Sequence, residues 1–122
     1  MPFFAHSIPG QPPESWHYLR AHLTDTAQTA KEFGSAFGSE AWACLCGLLH
    51  DLGKYSLAFQ KRLHGGKRVD HSLAGALEAI SFVKSCSYEA FANLLAHIIS
   101  GHHTGLVDGI PGETDGLSLN ER

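Results

Sequence analysis

The chain has 122 residues and a mass of 13.2 kDa, which fits a single domain over residues 1–122. Hydrophobic residues make up 43% and charged residues 17%, a balance that allows a buried core and excludes an intrinsically disordered chain. The formal charge of -3 argues against a stand-alone electrostatic clamp on nucleic acid. No apolar run approaches the roughly 18 to 20 residues of a membrane span, so we expect a cytoplasmic protein without a membrane partner.

The N-terminal third of the chain predicts an irregular lead-in followed by two helices. Prolines and Gly10 interrupt residues 1–13. From Glu14 to Phe33 apolar residues recur at spacings of three and four, which predicts an amphipathic helix that Gly34 closes. A second helix opens at Ser39 and is apolar on almost every side. We therefore expect it to be the buried centre of the core, with Leu48→Ala costing about 2 to 5 kcal/mol.

The rest of the chain predicts three more helices and a tail. Gly53 is the expected left-handed stop of the second helix, and a short third helix covers residues 56–63. Asp70 is the predicted N-cap of a fourth helix, and a fifth runs from about Tyr88 to Ser100. No strand pair is expected, and residues 104–122 read as a Gly-rich loop or partly disordered tail. The predicted fold is an all-α bundle of about five helices with its core at about residues 14–103.

Histidine is the unusual feature of the composition, with nine copies. Metal ligation is the commonest chemical reason for such a density. Imidazoles and one carboxylate fall at predicted helix ends or edges, where they could converge on one pocket: His22, His50, Asp51, His71, His102 and His103. An aspartate has two oxygens and can serve two ions, and two ions suit the hydrolysis of a phosphoester. The remaining histidines are interpreted as surface, turn, packing or lead-in residues: His6, His17, His64 and His97.

Five segments in order carry a family resemblance. They are Leu-x-x-His-Leu around His22, residues 47–55, Phe59-Gln60, residues 70–76, and His102-His103-x-Gly-Leu. Together they resemble the HD-superfamily nuclease domain of the CRISPR-associated type I helicase-nuclease, over about residues 14–108. The His50-Asp51 pair alone would indicate only the superfamily, whereas the other segments narrow the resemblance to its CRISPR branch.

The resemblance implies a metal-dependent DNA nuclease that acts in antiviral defence. Its substrate would be the single-stranded DNA that an RNA-guided surveillance complex of the Cascade type displaces, and a CRISPR helicase part or subunit would be a partner. The implied ligands are His22, His50 and Asp51 for one ion, and Asp51, His71, His102 and His103 for the other. Asp51 and Lys54 are the implied catalytic residues, with Lys54 neutralising a phosphate or protonating a leaving group. Otherwise Lys54 would be a solvated lysine at a helix C-terminus.

The expected cofactors are one or two divalent metal ions. Mn, Fe, Co, Ni, Zn and Mg all remain open, although several histidine ligands disfavour Mg. The family's domain is longer and completes the first site with an aspartate far downstream. We therefore expect the C-terminal part of the domain to be missing, because Asp108 and Asp115 lie close to His103 in the tail.

Two alternatives remain from the sequence. The first is a generic HD phosphohydrolase of nucleotides or phosphate esters, which would need a closed pocket where a polymer needs a groove. The second is a truncated, catalytically weak fragment or interaction module whose histidines serve only packing. A metal titration separates the second alternative from the enzymes, because a packing-only protein should bind no stoichiometric divalent ion.

Overall fold

The computed structural model describes residues 2–85, 89–103 and 105. Two short antiparallel strands precede five α-helices in the described part of the chain. The elements are β1 (Phe4–His6), β2 (His17–Tyr18), α1 (Leu19–Ser35), α2 (Glu40–Leu49), α3 (Leu57–Leu63), α4 (Ser72–Ser85) and α5 (Glu89–Gly101), with 3-10 helices at Pro13–Ser15 and Leu52–Tyr55. The all-α bundle of about five helices is confirmed. No described helix is both long and apolar enough to cross a membrane.

The N-terminal segment corrects the expectation of an irregular lead-in without strands. β1 pairs with β2, and the N–H of Leu19 donates to the carbonyl of Phe3 at 2.8 Å. Helix α1 therefore begins at Leu19 rather than at Glu14, because the backbone at Trp16 and Tyr18 is extended. The indole of Trp16 packs edge-on against Phe4, with ring centroids 5.5 Å apart. Residues that fit the spacing of a helix are thus used by a hairpin instead.

Glycine allows α1 and α2 to approach closely. A Cβ atom at Gly47 would lie 2.6 Å from the Cα atom of Ala27, and one at Gly34 would lie 2.7 Å from the Cβ atom of Ala43. Both distances are far inside van der Waals contact, so a side chain at either position would push the helices apart. Gly34 thus serves packing and does not close α1, which continues to Ser35.

The main core lies between α4 and α5. It consists of Ala76, Ala79, Val83, Ala92, Leu95, Ala96 and Ile99, with side chains of α2 packed at its edge. A smaller cluster joins the strands to α1 and contains Ala5, Leu19 and Leu23. The expectation that α2 is buried on all sides is wrong, since Leu48 is 40% exposed. The neighbouring helices and strands in the described part of the chain cover only part of the surface of α2. Its apolar composition therefore overestimates the fraction of the helix that is buried.

Several predictions fall on residues outside the described ranges. They concern Tyr88 as the start of the fifth helix, Asp108, Asp115 and nearly all of the 104–122 tail. Gly53 needs another correction, because it has no left-handed backbone and lies within the 3-10 helix Leu52–Tyr55. Its lack of a side chain instead allows the carbonyl of His71 to approach the 3-10 helix closely.

Candidate metal centre

Asp51 is the centre of a cluster of polar side chains, called the polar cluster below, that includes His22, His50, Lys54, His71, His102 and His103. It lies between the end of α2 and the 3-10 helix, and it is 2% exposed. Its Oδ2 atom is 3.0 Å from Nε2 of His22, 3.2 Å from Nε2 of His50 and 2.7 Å from Nζ of Lys54. Its Oδ1 atom is 3.0 Å from Nε2 of His71 and 3.3 Å from Nε2 of His102. Each carboxylate oxygen therefore has its own pair of imidazoles.

Two glycines bring α4 onto the turn that carries Asp51. A Cβ atom at Gly53 would clash with the carbonyl oxygen of His71. A Cβ atom at Gly75, on α4, would lie 2.9 Å from the carbonyl oxygen of Leu49. The start of α4 can therefore rest directly on the end of α2, which places His71 beside Asp51.

Asp70 fixes the start of α4 and thereby the position of His71. Its Oδ1 atom accepts hydrogen bonds from the backbone N–H of Ser72 at 2.9 Å and from the hydroxyl of Ser72 at 2.8 Å. These bonds satisfy the first turn of the helix, as the predicted capping role requires. The ring of Phe59 packs edge-on against His71, with centroids 5.0 Å apart. His71 is thus held by the backbone on one side and by an apolar ring on the other.

Backbone carbonyls fix the tautomers of two histidines. Nδ1 of His50 lies 2.8 Å from the carbonyl oxygen of Gly47, and Nδ1 of His102 lies 2.6 Å from that of Ile99. A carbonyl oxygen only accepts, so in each ring Nδ1 carries the proton and donates it. In the neutral imidazole, Nε2 then presents a lone pair toward Asp51. This is the arrangement in which a second partner orients a histidine for metal ligation.

The facing lone pairs require a positive charge between them. Oδ1 of Asp51 and Nε2 of His102 are buried and have no hydrogen-bond partner among the described residues. Leaving such atoms unsatisfied is costly, and two acceptors at 3.3 Å repel unless a proton or a cation lies near them. The donor set of imidazoles and one carboxylate is the set that first-row divalent ions bind. The cluster therefore fits a divalent metal.

All six residues predicted as ligands are brought together, and four of them form one compact group. One donor atom from each of Asp51, His71, His102 and His103 lies within 4.8 Å of the others. Nε2 of His103 is 2.9 Å from Nε2 of His71, although the side chain of His103 is exposed. This group coincides with the second ion site implied by the sequence resemblance. Metal binding by these residues remains a prediction.

His6 is a member of the cluster that sequence reasoning missed. One donor atom from each of His6, His22 and Asp51 lies within 4.8 Å of the others. The sequence interpretation left His6 in an irregular lead-in, whereas it ends β1 and faces His22 edge-on with centroids 5.0 Å apart. The sequence showed only that a histidine is present at position 6. A strand of three residues is too short to show the alternation of apolar and polar residues that would have predicted it.

We call these two sets of residues the donor groups: Asp51, His71, His102 and His103 form one, and His6, His22 and Asp51 form the other. Three histidines, His17, His64 and His97, lie outside the polar cluster. His17 and His64 are exposed, as expected, and the ring of His64 packs against Trp16. Nδ1 of His97 donates to the carbonyl of Asn93 one turn earlier in α5, at 2.9 Å. His97 is therefore occupied within its own helix, in line with a packing role.

Lys54 is buried, which corrects the interpretation of a solvated lysine at a helix end. Its side chain is 3% exposed, and its ammonium donates to Oδ2 of Asp51 at 2.7 Å and to the carbonyl of Ala5 at 3.2 Å. These bonds direct the positive charge at the carboxylate and at β1. Its catalytic role toward a substrate phosphate remains a prediction.

The pKa values in the cluster move in different directions. Burial raises the pKa of Asp51, but contacts with His102, His50, His71 and Lys54 outweigh it and hold that pKa well below its usual range. Burial lowers the pKa of His22 more than its contacts with Asp51 raise it. For His50 the hydrogen bonds to Asp51 and to the Gly47 carbonyl outweigh burial, so its pKa is raised. Asp51 is therefore ionised at neutral pH.

The fold and the cluster together define a class: a helical bundle that gathers imidazoles around one buried carboxylate. The model of the HD domain family matches residues 19–119, more than four fifths of the chain. The chain belongs to the HD domain family. This membership, with the His and Asp cluster, indicates a metal-dependent phosphohydrolase. No curated protein and no solved structure gives a significant match.

Proposed function

We propose that this chain is a metal-dependent nuclease that hydrolyses phosphodiester bonds of single-stranded DNA in type I CRISPR interference. The observation that carries the proposal is the division of the imidazoles between the two oxygens of Asp51. His22 and His50 lie at Oδ2, while His71 and His102 lie at Oδ1. One buried carboxylate can thereby serve two ions, and the ordered motifs of the sequence support the nuclease branch of the family.

The proposed chemistry assigns a separate task to each part of the cluster. His22, His50 and Oδ2 of Asp51 would hold one ion, and His71, His102, His103 and Oδ1 would hold the other. When bound, such ions supply a water of lowered pKa and neutralise charge on a phosphate. Lys54 holds the carboxylate in place through its 2.7 Å ion pair. Nδ1 of His50 and of His102 donates to the carbonyls of Gly47 and Ile99, so Nε2 is the nitrogen left to bind an ion when each ring is neutral.

An aromatic hollow next to β1 supports a polymeric substrate. It is an open depression of about 640 Å³, and its lining includes Phe3, Tyr18, Arg20, Asp25 and Tyr55. Tyr18 is 51% exposed although one face of its ring stacks on Phe4. Tyr55 is 38% exposed although its ring meets Phe3 edge-on, so both side chains are partly accessible to a ligand. Aromatic faces stack on bases without regard to sequence, and an arginine can contact the backbone phosphates. The 3-10 helix Leu52–Tyr55 carries both Tyr55 of the hollow and Lys54 of the cluster.

The implied partners are part of the same proposal. A helicase part or subunit would deliver the strand that an RNA-guided surveillance complex displaces. The formal charge of the chain is -3, so the chain itself supplies little long-range attraction for DNA. Delivery by a partner would meet this need.

The second candidate is a phosphohydrolase of nucleotides or small phosphate esters. It uses the same donor groups, and the family membership fits it equally. The two candidates differ in what the protein must recognise beyond one phosphate. The ordered motifs of the sequence and the aromatic hollow favour the nuclease, whereas the donor groups suit both candidates, so substrates of different size decide between them.

The test compares three substrates with protein loaded with Mn²⁺. They are circular single-stranded DNA, the same DNA as a duplex, and bis-p-nitrophenyl phosphate. We expect the circular single strand to be cut and the duplex to be spared. Asp51→Asn should remove the activity, and Glu78→Gln, an exposed position on α4, should retain it. Turnover of the small ester without cleavage of DNA would overturn the nuclease in favour of the second candidate.

A further inference from the structure

β1 is attached to the polar cluster through three consecutive residues. The backbone N–H and carbonyl of Phe4 both bond the side-chain amide of Gln60, each at 3.0 Å. The carbonyl of Ala5 accepts from the ammonium of Lys54 at 3.2 Å. His6 then stands edge-on to His22. The strand is thus fixed residue by residue against the site.

The anchors of β1 are shared with the turn that carries Asp51. Nε2 of Gln60 also donates to the carbonyl of Lys54 at 2.7 Å, and Gln60 is 8% exposed. The same lysine donates to Asp51 at 2.7 Å. A buried amide and a buried ammonium therefore tie the strand and the carboxylate to each other. These bonds therefore set the position of His6 relative to Asp51, although His6 itself is exposed at the end of β1.

The donor atoms of His6, His22 and Asp51 have the spread expected around one cation. They lie within 4.8 Å of one another. Metal bonds of about 2.0 to 2.2 Å place neighbouring donors about 3 to 4 Å apart, so a small inward movement would suffice. His17, the cross-strand partner of His6, has its ring 5.5 Å from that of His22 but belongs to neither donor group.

We propose that His6 is a ligand of the ion held by His22 and Asp51, so that the N-terminal hairpin closes this side of the metal site. The inference rests on the proposed metal-dependent function and adds a ligand from outside residues 19–119, which match the family model. With His50 included, the set would be three imidazoles and a carboxylate, which suits Mn, Fe, Co, Ni or Zn. Binding of this ion would also stabilise β1 against local opening, since its last residue would become a ligand.

The experiment titrates Co²⁺ into the metal-free wild type, His6→Ala and His17→Ala. Calorimetry gives the stoichiometry and affinity, and visible absorption reports the ligand set of the cobalt ion. We expect the wild type to bind two ions. His6→Ala should lose one ion or bind it at least about tenfold more weakly, with a changed spectrum, because even an outer-shell partner is worth about 10 to 100-fold in affinity. His17→Ala, the matched change on β2, should behave as the wild type.

Amide hydrogen exchange gives a readout independent of cobalt spectra. Saturating Co²⁺ should slow exchange of the amides of residues 4–6 in the wild type and in His17→Ala, but not in His6→Ala. Circular dichroism of the metal-free variants checks that both are folded, as expected for changes at exposed positions.

The outcomes separate this inference from the proposed function. If the wild type binds cobalt and His6→Ala binds it with the same stoichiometry, affinity and spectrum, the inference is overturned while the proposed function stands. An equal loss in both variants also overturns it, since the hairpin would then act through its structure. If the wild type binds no cobalt, the proposed function fails and the inference fails with it.

Discussion

The ammonium of Lys54 lies 2.7 Å from Oδ2 of Asp51, and both side chains are only 3% exposed. The spacing of three residues puts them on one side of the 3-10 turn that follows α2. Burying two charges costs free energy that only their mutual attraction and further hydrogen bonds can offset. The pair therefore holds the carboxylate in the middle of the imidazoles before any ion arrives.

Replacing Lys54 with methionine tests this pair. We expect Lys54→Met to lower the free energy of unfolding of the metal-free protein by about 3 to 5 kcal/mol, because it leaves a buried carboxylate without its partner. Lys61→Met, at an exposed position of α3, should change it by less than about 0.5 kcal/mol. Urea denaturation measures both. Equal, small effects would mean that Lys54 is solvated.

Adding a single methyl group at Gly53 should damage both the fold and the site. Its Cβ atom would meet the carbonyl oxygen of His71, so α4 must move away from Asp51. We expect Gly53→Ala to lose about 1 to 3 kcal/mol of stability through overpacking and to weaken Co²⁺ binding. Urea denaturation measures the loss of stability, and calorimetry measures the affinity for Co²⁺.

Gly38→Ala separates the two effects of Gly53→Ala. Gly38 has a φ of +68° in the turn after α1, with open space around it, so alanine there costs about 1 to 2 kcal/mol of backbone strain. It does not belong to either donor group, and cobalt affinity should stay unchanged. If both glycine variants bind cobalt as tightly as the wild type, the close contact at Gly53 does not position His71.

The exposure of Leu48 reverses a prediction made from its sequence context. At 40% exposure, Leu48→Ala should cost less than about 1 kcal/mol. Leu95→Ala, at 1% exposure in the core of α4 and α5, should cost about 2 to 5 kcal/mol. Chemical denaturation of both variants ranks them. A larger loss at Leu48 than at Leu95 would show that the described core is misassigned.

The contrast between Leu48 and the predicted ligands shows what this sequence can tell. His50 and Asp51 stand out because polar residues end the most apolar segment, and His71 and His102 fall at other helix ends. The order of residues in the sequence is thus enough to predict that these side chains converge on one site. The exposed side of α2 is different, because a helix that is apolar all round carries no asymmetry to mark the face its neighbours leave uncovered.

Tertiary contacts between short segments explain the remaining errors. β2 has two residues, and its neighbours Trp16 and Leu19 fit helical spacing equally well. The burial of Lys54 depends on the carbonyl of Ala5, which lies 49 residues away in the chain. His6 joins the cluster through the same strand. None of these contacts produces a periodic pattern in the sequence, so an analysis of hydrophobic periodicity does not detect them.

The stability of the metal-free protein should fall as the pH is lowered from about 7.5 to about 5.5. Burial is the largest cause that lowers the pKa of His6, His22 and His103 from the usual 6.5. The unfolded chain therefore takes up these protons first, and acidification favours unfolding. The raised pKa of His50 acts in the opposite direction, because the folded state binds that proton more tightly.

Urea denaturation in the presence of a chelator at the two pH values measures this slope. His22→Gln should show a smaller fall in the free energy of unfolding than the wild type, since it removes one of the three contributing groups. Stability that rises on acidification would mean that the folded cluster binds protons more tightly than the unfolded chain.

Asp51→Asn should abolish divalent metal uptake. Asparagine keeps the shape of the side chain but removes the one carboxylate that both donor groups contain. It also leaves the ammonium of Lys54 without its ion pair, so the variant should lose stability as well, and circular dichroism at low temperature must show that it is folded. Elemental analysis and calorimetry measure the metal, with Glu78→Gln as the control for a lost surface charge. Unchanged metal content in Asp51→Asn, or none in the wild type at neutral pH with metal in excess, would show that the ligand assignment is wrong.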